Sequence, residues 1–147
     1  MKKKKILLGI LIVAWLCVIW GHSLQPAVES EFESAKWLEV ISKFIPVVTN
    51  DDQGMFLVRK AAHFTEYAIL GVLLALELAN YVKGWLRRFV EPLAFALSAA
   101  FIDETIQLFV EGRSGQIVDV WIDLSGAALG ILITLAIIGN RRGRRAY

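Results

Sequence analysis

The sequence predicts an all-α fold: a polytopic membrane protein with four transmembrane helices in a compact bundle and a short outer amphipathic helix. Three observations predict it. The chain of 147 residues is 56% hydrophobic with a mean hydropathy of +0.56, too apolar for a soluble domain of its size. Its apolar residues fall into four long runs, at about 6–24, 61–82, 89–110 and 117–138. Its charges are sorted: eleven of the sixteen Lys and Arg residues lie at 2–5, in the 83–88 connection and in the tail 141–145. The length accommodates a single membrane domain over 1–147, with an outer loop at 25–60.

Four lysines precede the apolar run from Ile6 to Trp20. A basic start and an apolar core suit either a signal peptide or a first span. No Ala-x-Ala cleavage site follows, and the run carries Trp15 and Trp20, so an uncleaved span continuing to Leu24 is expected. Cys17, the one cysteine, has no partner for an internal disulfide and reads as a small apolar side chain.

The loop at 25–60 is the most polar segment. Ser30 and Glu33 have the spacing of a capping box. Beyond them Trp37, Leu38, Ile41, Phe44 and Ile45 recur at helical spacing, opposite Glu33, Lys36, Glu39 and Lys43. An amphipathic helix over 30–45, ended near Pro46, is expected on the membrane surface or against the bundle, as an anchor or a lid. Residues 50–54 read as a turn. Pro92 suits the first turn of the third span, where its missing N–H costs nothing. Glu77 and Glu91 can snorkel and pair with Lys83, Arg87 or Arg88. Positive charge marks the cytoplasm, so both termini are expected there and the 25–60 loop outside.

That topology brings polar residues of all four spans to one depth. His63, Glu66 and Tyr67 open the second span; Asp103, Glu104 and Gln107 close the third; Asp119 and Asp123 open the fourth. At about 1.5 Å per residue they lie within roughly 12 Å of the outer boundary, level with His22, Ser23 and Gln25 at the end of the first span. A charge at such depth costs roughly 3–10 kcal/mol and normally faces protein or water. The spacing turns these groups inward. His63, Glu66 and Tyr67 share one stripe, Asp103 and Gln107 another, and Asp119, Asp123, Gly126 and Gly130 a third. Gly126-x-x-x-Gly130 allows another helix to approach closely, so its stripe faces the interior.

The expectation is a polar cavity open toward the outer leaflet. Arg59, His63, Glu66, Asp103, Glu104, Gln107, Arg113, Asp119 and Asp123 would line it, with Arg59, Lys60 and Arg113 as counter-charges and Gly126 and Gly130 as packing positions. For any one residue the alternative is a polar contact that holds helices together, at about 1 kcal/mol or less. Five carboxylates exceed what that role needs.

Taken together, Arg59-Lys60-Ala61-Ala62-His63-Phe64-Thr65-Glu66-Tyr67-Ala68-Ile69-Leu70-Gly71, Asp103-Glu104-x-x-Gln107-x-Phe109, Gly112-Arg113 and Asp119-x-x-x-Asp123-x-x-Gly126-x-x-x-Gly130 resemble the VanZ-like family. With Ser23-Leu24-Gln25-Pro26, the resemblance covers essentially the whole chain. Two positions depart from the pattern: Glu111 where a proline often precedes Gly-Arg, and Asp123 where many members carry Asn. The resemblance implies a small protein of the bacterial cell membrane. The namesake is associated with resistance to teicoplanin, and most relatives have no assigned reaction.

Three functions are in view. The leading one is binding of a membrane lipid or a lipid-linked wall precursor, Arg59 and Arg113 pairing with phosphate while carboxylates accept hydroxyls or an amine. The second is a membrane-embedded enzyme using His63 and Glu66 with Asp103, Glu104, Asp119 and Asp123 as acid/base groups or as ligands of a divalent cation, Mg²⁺, Ca²⁺ or Mn²⁺ before zinc. No His-Glu-x-x-His, Asp-x-Asp, Gly-x-Ser-x-Gly or phosphate-loop motif is present, so no metal ligand set or cofactor is assigned and the balance leans away from catalysis. The third is transport through buried carboxylates, but the polar groups stop at mid-membrane. Nucleic acid is not an expected partner, since topology accounts for the basic residues.

Overall fold

Each apolar run forms a helix, and so does the polar segment after the first. The computed structural model describes residues 2–45 and 51–143, with side chains over 5–45 and 51–139. Among these, five helices and no strand occur: α1 (Lys2–Ser23), α2 (Ala27–Phe44), α3 (Asp52–Leu78), α4 (Trp85–Gln107) and α5 (Ile117–Gly143). Three stretches are long and apolar enough to cross a membrane, Lys5–Ser23, Asp52–Leu78 and Ile117–Gly139. α4 is not among them, because Glu91, Asp103 and Glu104 interrupt its apolar run.

Capping explains where the helices depart from the apolar runs. α3 begins at Asp52, well before 61, because the Asp51 carboxylate accepts from the Gly54 N–H at 2.9 Å. The expected turn at 50–54 is therefore, from Asp52 on, the first turn of a helix. At its other end α3 stops at Leu78 rather than Val82, and α4 stops at Gln107 rather than Val110. The capping box at Ser30 does not form. Pro26, with φ −54°, is the N-cap of α2 and no side chain caps it; the Ser30 hydroxyl instead accepts from Arg113 at 3.2 Å. Pro46, Asn50, Arg144 and Arg145 lie outside the described residues. Glu91 pairs with Arg87 at 2.7 Å as expected, whereas Glu77 accepts from the Tyr81 hydroxyl at 3.1 Å.

The core forms where small residues let backbones meet. A Cβ at Gly126 would strike the Phe64 carbonyl, one at Gly130 the Ala68 carbonyl, and one at Gly71 the backbone of Ala127. α3 and α5 thus touch backbone to backbone, the close approach that the Gly126–Gly130 spacing predicts. Ala96, Ala99 and Ala100 give α4 a similarly small inner face, packed with Ile19, Tyr67, Leu70 and Ala127. Ala75, Ile131 and Leu135 form a second cluster beneath Phe89 and Leu93. α1 docks through its indoles: Trp15 Nε1 donates to the Glu66 carbonyl at 2.9 Å, and Trp20 Nε1 reaches the Ala99 carbonyl at 3.5 Å. The outward faces of α1 and α4 are apolar, with Ile6, Ile10, Val13, Phe95 and Phe101 all exposed.

An added methyl group therefore tests the helix contact. Gly126→Ala or Gly130→Ala should lower unfolding stability in detergent by about 1–3 kcal/mol through overpacking. Gly9→Ala, where nothing lies within 4 Å, should leave it unchanged or raise it by about 0.5–1 kcal/mol.

Candidate functional site

The glycine contact sets the rotation of α3 against α5, and just outward of it two titratable side chains meet. His63 Nδ1 lies 3.2 Å from Asp123 Oδ1 and 3.9 Å from Asp103 Oδ2 on α4. One ligating atom each from His63, Asp103, Glu104 and Asp123 falls within 4.8 Å of the others, and all four residues are buried. Asp103 and Asp123 are 0% exposed. Glu104 is oriented from the loop, its Oε2 accepting the Gln116 N–H at 2.6 Å. Around this cluster Gln107 donates to the Ser23 hydroxyl at 3.2 Å. The Ser23 hydroxyl also stands beside the Asp103 carboxylate, one O–H for two oxygens. Among the described residues Glu104 Oε1, Asp123 Oδ2 and the Tyr67 hydroxyl have no hydrogen-bond partner.

A separate open cavity of about 460 Å³ lies among α1, α2 and α3. Trp15, Trp37, Ile41, Val58 and Ile69 make an apolar wall; His22, Glu33, Arg59, His63, Glu66 and Arg113 make a polar one. Glu66 Oε1 is 2.6 Å from His22 Nδ1 across it. A smaller space of about 70 Å³ is bordered by Arg59, Lys60, His63, Gln107, Arg113 and Asp119.

The sequence residues thus separate into three compartments rather than lining one cavity. Arg59, His63, Glu66 and Arg113 face the large cavity, and Gln107 and Asp119 face the small one. Asp103, Glu104 and Asp123 line neither and sit in the buried cluster. His63 is common to all three.

The VanZ/LLP1 family profile matches residues 8–138, which include every residue of the cluster and both cavities. The chain belongs to the VanZ/LLP1 family. No curated protein and no solved structure matches it.

In this VanZ/LLP1 chain the counter-charges differ from those expected. Lys60 alone bonds a carboxylate of the polar layer, Asp119, with the two side chains only 12% and 6% exposed. Arg59 reaches outward to Glu31 at 4.0 Å. Arg113, in the loop between α4 and α5, donates to the His22 carbonyl at 2.8 Å and to Ser30 at 3.2 Å. Burial, and then the nearby Arg59 guanidinium, pull Arg113 below the usual arginine range. The Nε atoms of both arginines are buried and unpartnered. Sequence reasoning left the 30–45 helix open as an anchor or a lid, and its Trp37–Ile41 stripe lines the large cavity; it missed the Gln116 N–H, for which no signal existed.

The Lys60–Asp119 pair is testable by charge removal. Lys60→Ala strands a buried carboxylate and should cost about 3–5 kcal/mol in thermal unfolding. Adding Asp119→Asn should restore most of that loss.

Proposed function

We propose that the chain is a multi-pass protein of the bacterial cell membrane that binds a phosphate-bearing amphiphile, a lipid or a lipid-linked wall precursor, in the cavity among α1, α2 and α3. In this reading α1, α3, α4 and α5 all span, both termini are cytoplasmic, and α2 lies at the outer surface. The sorted positive charge supports the orientation. α4 supports a fourth span by length, since 23 residues make about 34 Å of helix against a hydrocarbon core of about 30 Å. Its faces support it too: Asp103 and Glu104 turn inward at 0% and 6% exposure, while Phe95 and Phe101 turn outward at 60% and 56%.

One observation carries the function: two guanidiniums, Arg59 and Arg113, stand together on a cavity whose other wall is apolar. Two close cations repel unless an anion joins them, and guanidinium matches phosphate with paired N–H donors. Trp15, Trp37 and Ile41 offer the adjoining surface for an acyl or prenyl chain. The carboxylates of Glu33 and Glu66 are placed to accept head-group hydroxyls or an amine. Sequestering such a molecule at the outer leaflet would alter what a lipid-tailed glycopeptide such as teicoplanin meets there, which agrees with the association of the family's namesake.

Mass spectrometry of lipids retained by the purified protein tests this. The wild type should carry about one phosphate-bearing amphiphile per chain, and Arg59→Ala and Arg113→Ala should each retain at least about tenfold less, a lost hydrogen bond to a charged group being worth about 1.5 kcal/mol or more. Equal retention by all three proteins contradicts the reading.

A further inference from the structure

We propose that His63, Asp103, Glu104 and Asp123 form a binding site for one divalent cation, buried behind the open cavity. The first ground is geometry. Bonds of about 2.0–2.3 Å from a common ion place neighbouring ligand atoms about 3 Å apart and opposed ones about 4.4 Å apart. The four side chains already hold their ligating atoms within 4.8 Å of one another, so small side-chain adjustments close the shell.

The second ground is independent of that clustering. Polar side chains that serve only to hold helices together end in hydrogen bonds to one another; here His63 and Asp123 do so through one oxygen, and other carboxylate oxygens are left over. Asp103 is 0% exposed and the single O–H of Ser23 beside it can serve only one of its two oxygens; Asp123 is 0% exposed, and among the described residues its Oδ2 has no partner. Glu104 has one oxygen fixed by the Gln116 N–H, which leaves Oε1 unpartnered on the cluster side. Buried carboxylate oxygens without donors are costly, and a cation supplies what the missing donors would. Among the described residues no Lys or Arg side chain bonds a carboxylate of the cluster. Lys60 is committed to Asp119, and Arg59 and Arg113 reach Glu31, Ser30 and the His22 carbonyl.

The donor set selects the kind of ion. One imidazole nitrogen with three carboxylates suits Mn²⁺ or Zn²⁺; Ca²⁺ and Mg²⁺ take oxygen ligands and, for Mg²⁺, retain several waters. The hydrogen bond from Gln116 to Glu104 is the outer support such sites use to hold a ligand in place. His63 borders both cavities, which gives the ion a polar route inward. The site does not rest on what the open cavity holds.

The experiment uses the full chain in detergent, stripped with a chelator and titrated with Mn²⁺ or Zn²⁺ alone. Calorimetry and elemental analysis should find about one ion per chain in the wild type. Asp103→Asn and Asp123→Asn should bind at least about thirtyfold more weakly with unchanged circular dichroism, and Glu91→Gln should bind as the wild type. A wild type that takes up neither ion overturns the proposal, as do Asn variants that bind equally well. Should the Asn variants not fold, pulsed electron paramagnetic resonance of the Mn²⁺-loaded wild type decides. Coupling to one imidazole nitrogen supports the site, and its absence overturns it.

Discussion

Backbone contact between α3 and α5 is the constraint on which the rest of the structure depends. Three glycines make it, Gly71 from α3 and Gly126 and Gly130 from α5, each occupying space where a side chain would meet the opposite main chain. In lipid, helices gain little from burying apolar surface, so van der Waals contact over such small-residue seams has to hold them. The seam fixes rotation as well as distance. Once Phe64 faces Gly126, His63 must face the turn beyond, where Asp123 stands, and the pair closes at 3.2 Å. α4 then fits against both helices through Ala96, Ala99 and Ala100 and adds Asp103 and Glu104 to the same place.

Around this seam the molecule inverts the usual arrangement of a soluble protein. Carboxylates and imidazole are inside, and leucine, isoleucine and phenylalanine cover much of the outside. The end of the bundle that carries the polar cluster is fastened by connections rather than by apolar burial. The Ala27 N–H donates to the Glu111 carbonyl at 3.1 Å, next to Gly112 in the left-handed region at φ +72°, and Arg113 follows with its bonds to His22 and Ser30. This latch holds α2 in place as a wall, and the space left between α1, α2 and α3 is the open cavity. A wet, two-faced cavity and a buried acidic cluster therefore stand on either side of His63. The proposed amphiphile recognition belongs to the first and the proposed cation site to the second.

The all-α fold was legible because apolar runs and charge sorting are one-dimensional signals. The inward direction of Asp103, Asp119 and Asp123 was legible because helical spacing projects onto a face. Gly126-x-x-x-Gly130 named its own role, whereas Gly71, the reciprocal glycine, has no partner glycine at that spacing and passed unnoticed. Helix ends were read poorly where a side-chain cap overrode hydropathy, as Asp51 does for α3. The division into separate compartments was not legible at all. Depth and face are periodic properties of one helix, but which carboxylate lies behind which histidine depends on how far the helices approach. Pairing likewise escaped the sequence: Arg59, Lys60 and Arg113 are equivalent in composition, and only the packed structure commits Lys60 to Asp119 and leaves the arginines together at the cavity.

The central claim is that the glycine seam brings His63 of α3 and Asp123 of α5 into direct contact within the protein. A double-mutant cycle between His63→Gln and Asp123→Asn, read as unfolding stability in detergent with the chelator present, measures that contact directly. The account predicts a coupling energy of about 1 kcal/mol or more, as for side chains that share a buried hydrogen bond. Additivity within about 0.3 kcal/mol, the behaviour of distant and independent sites, would contradict it.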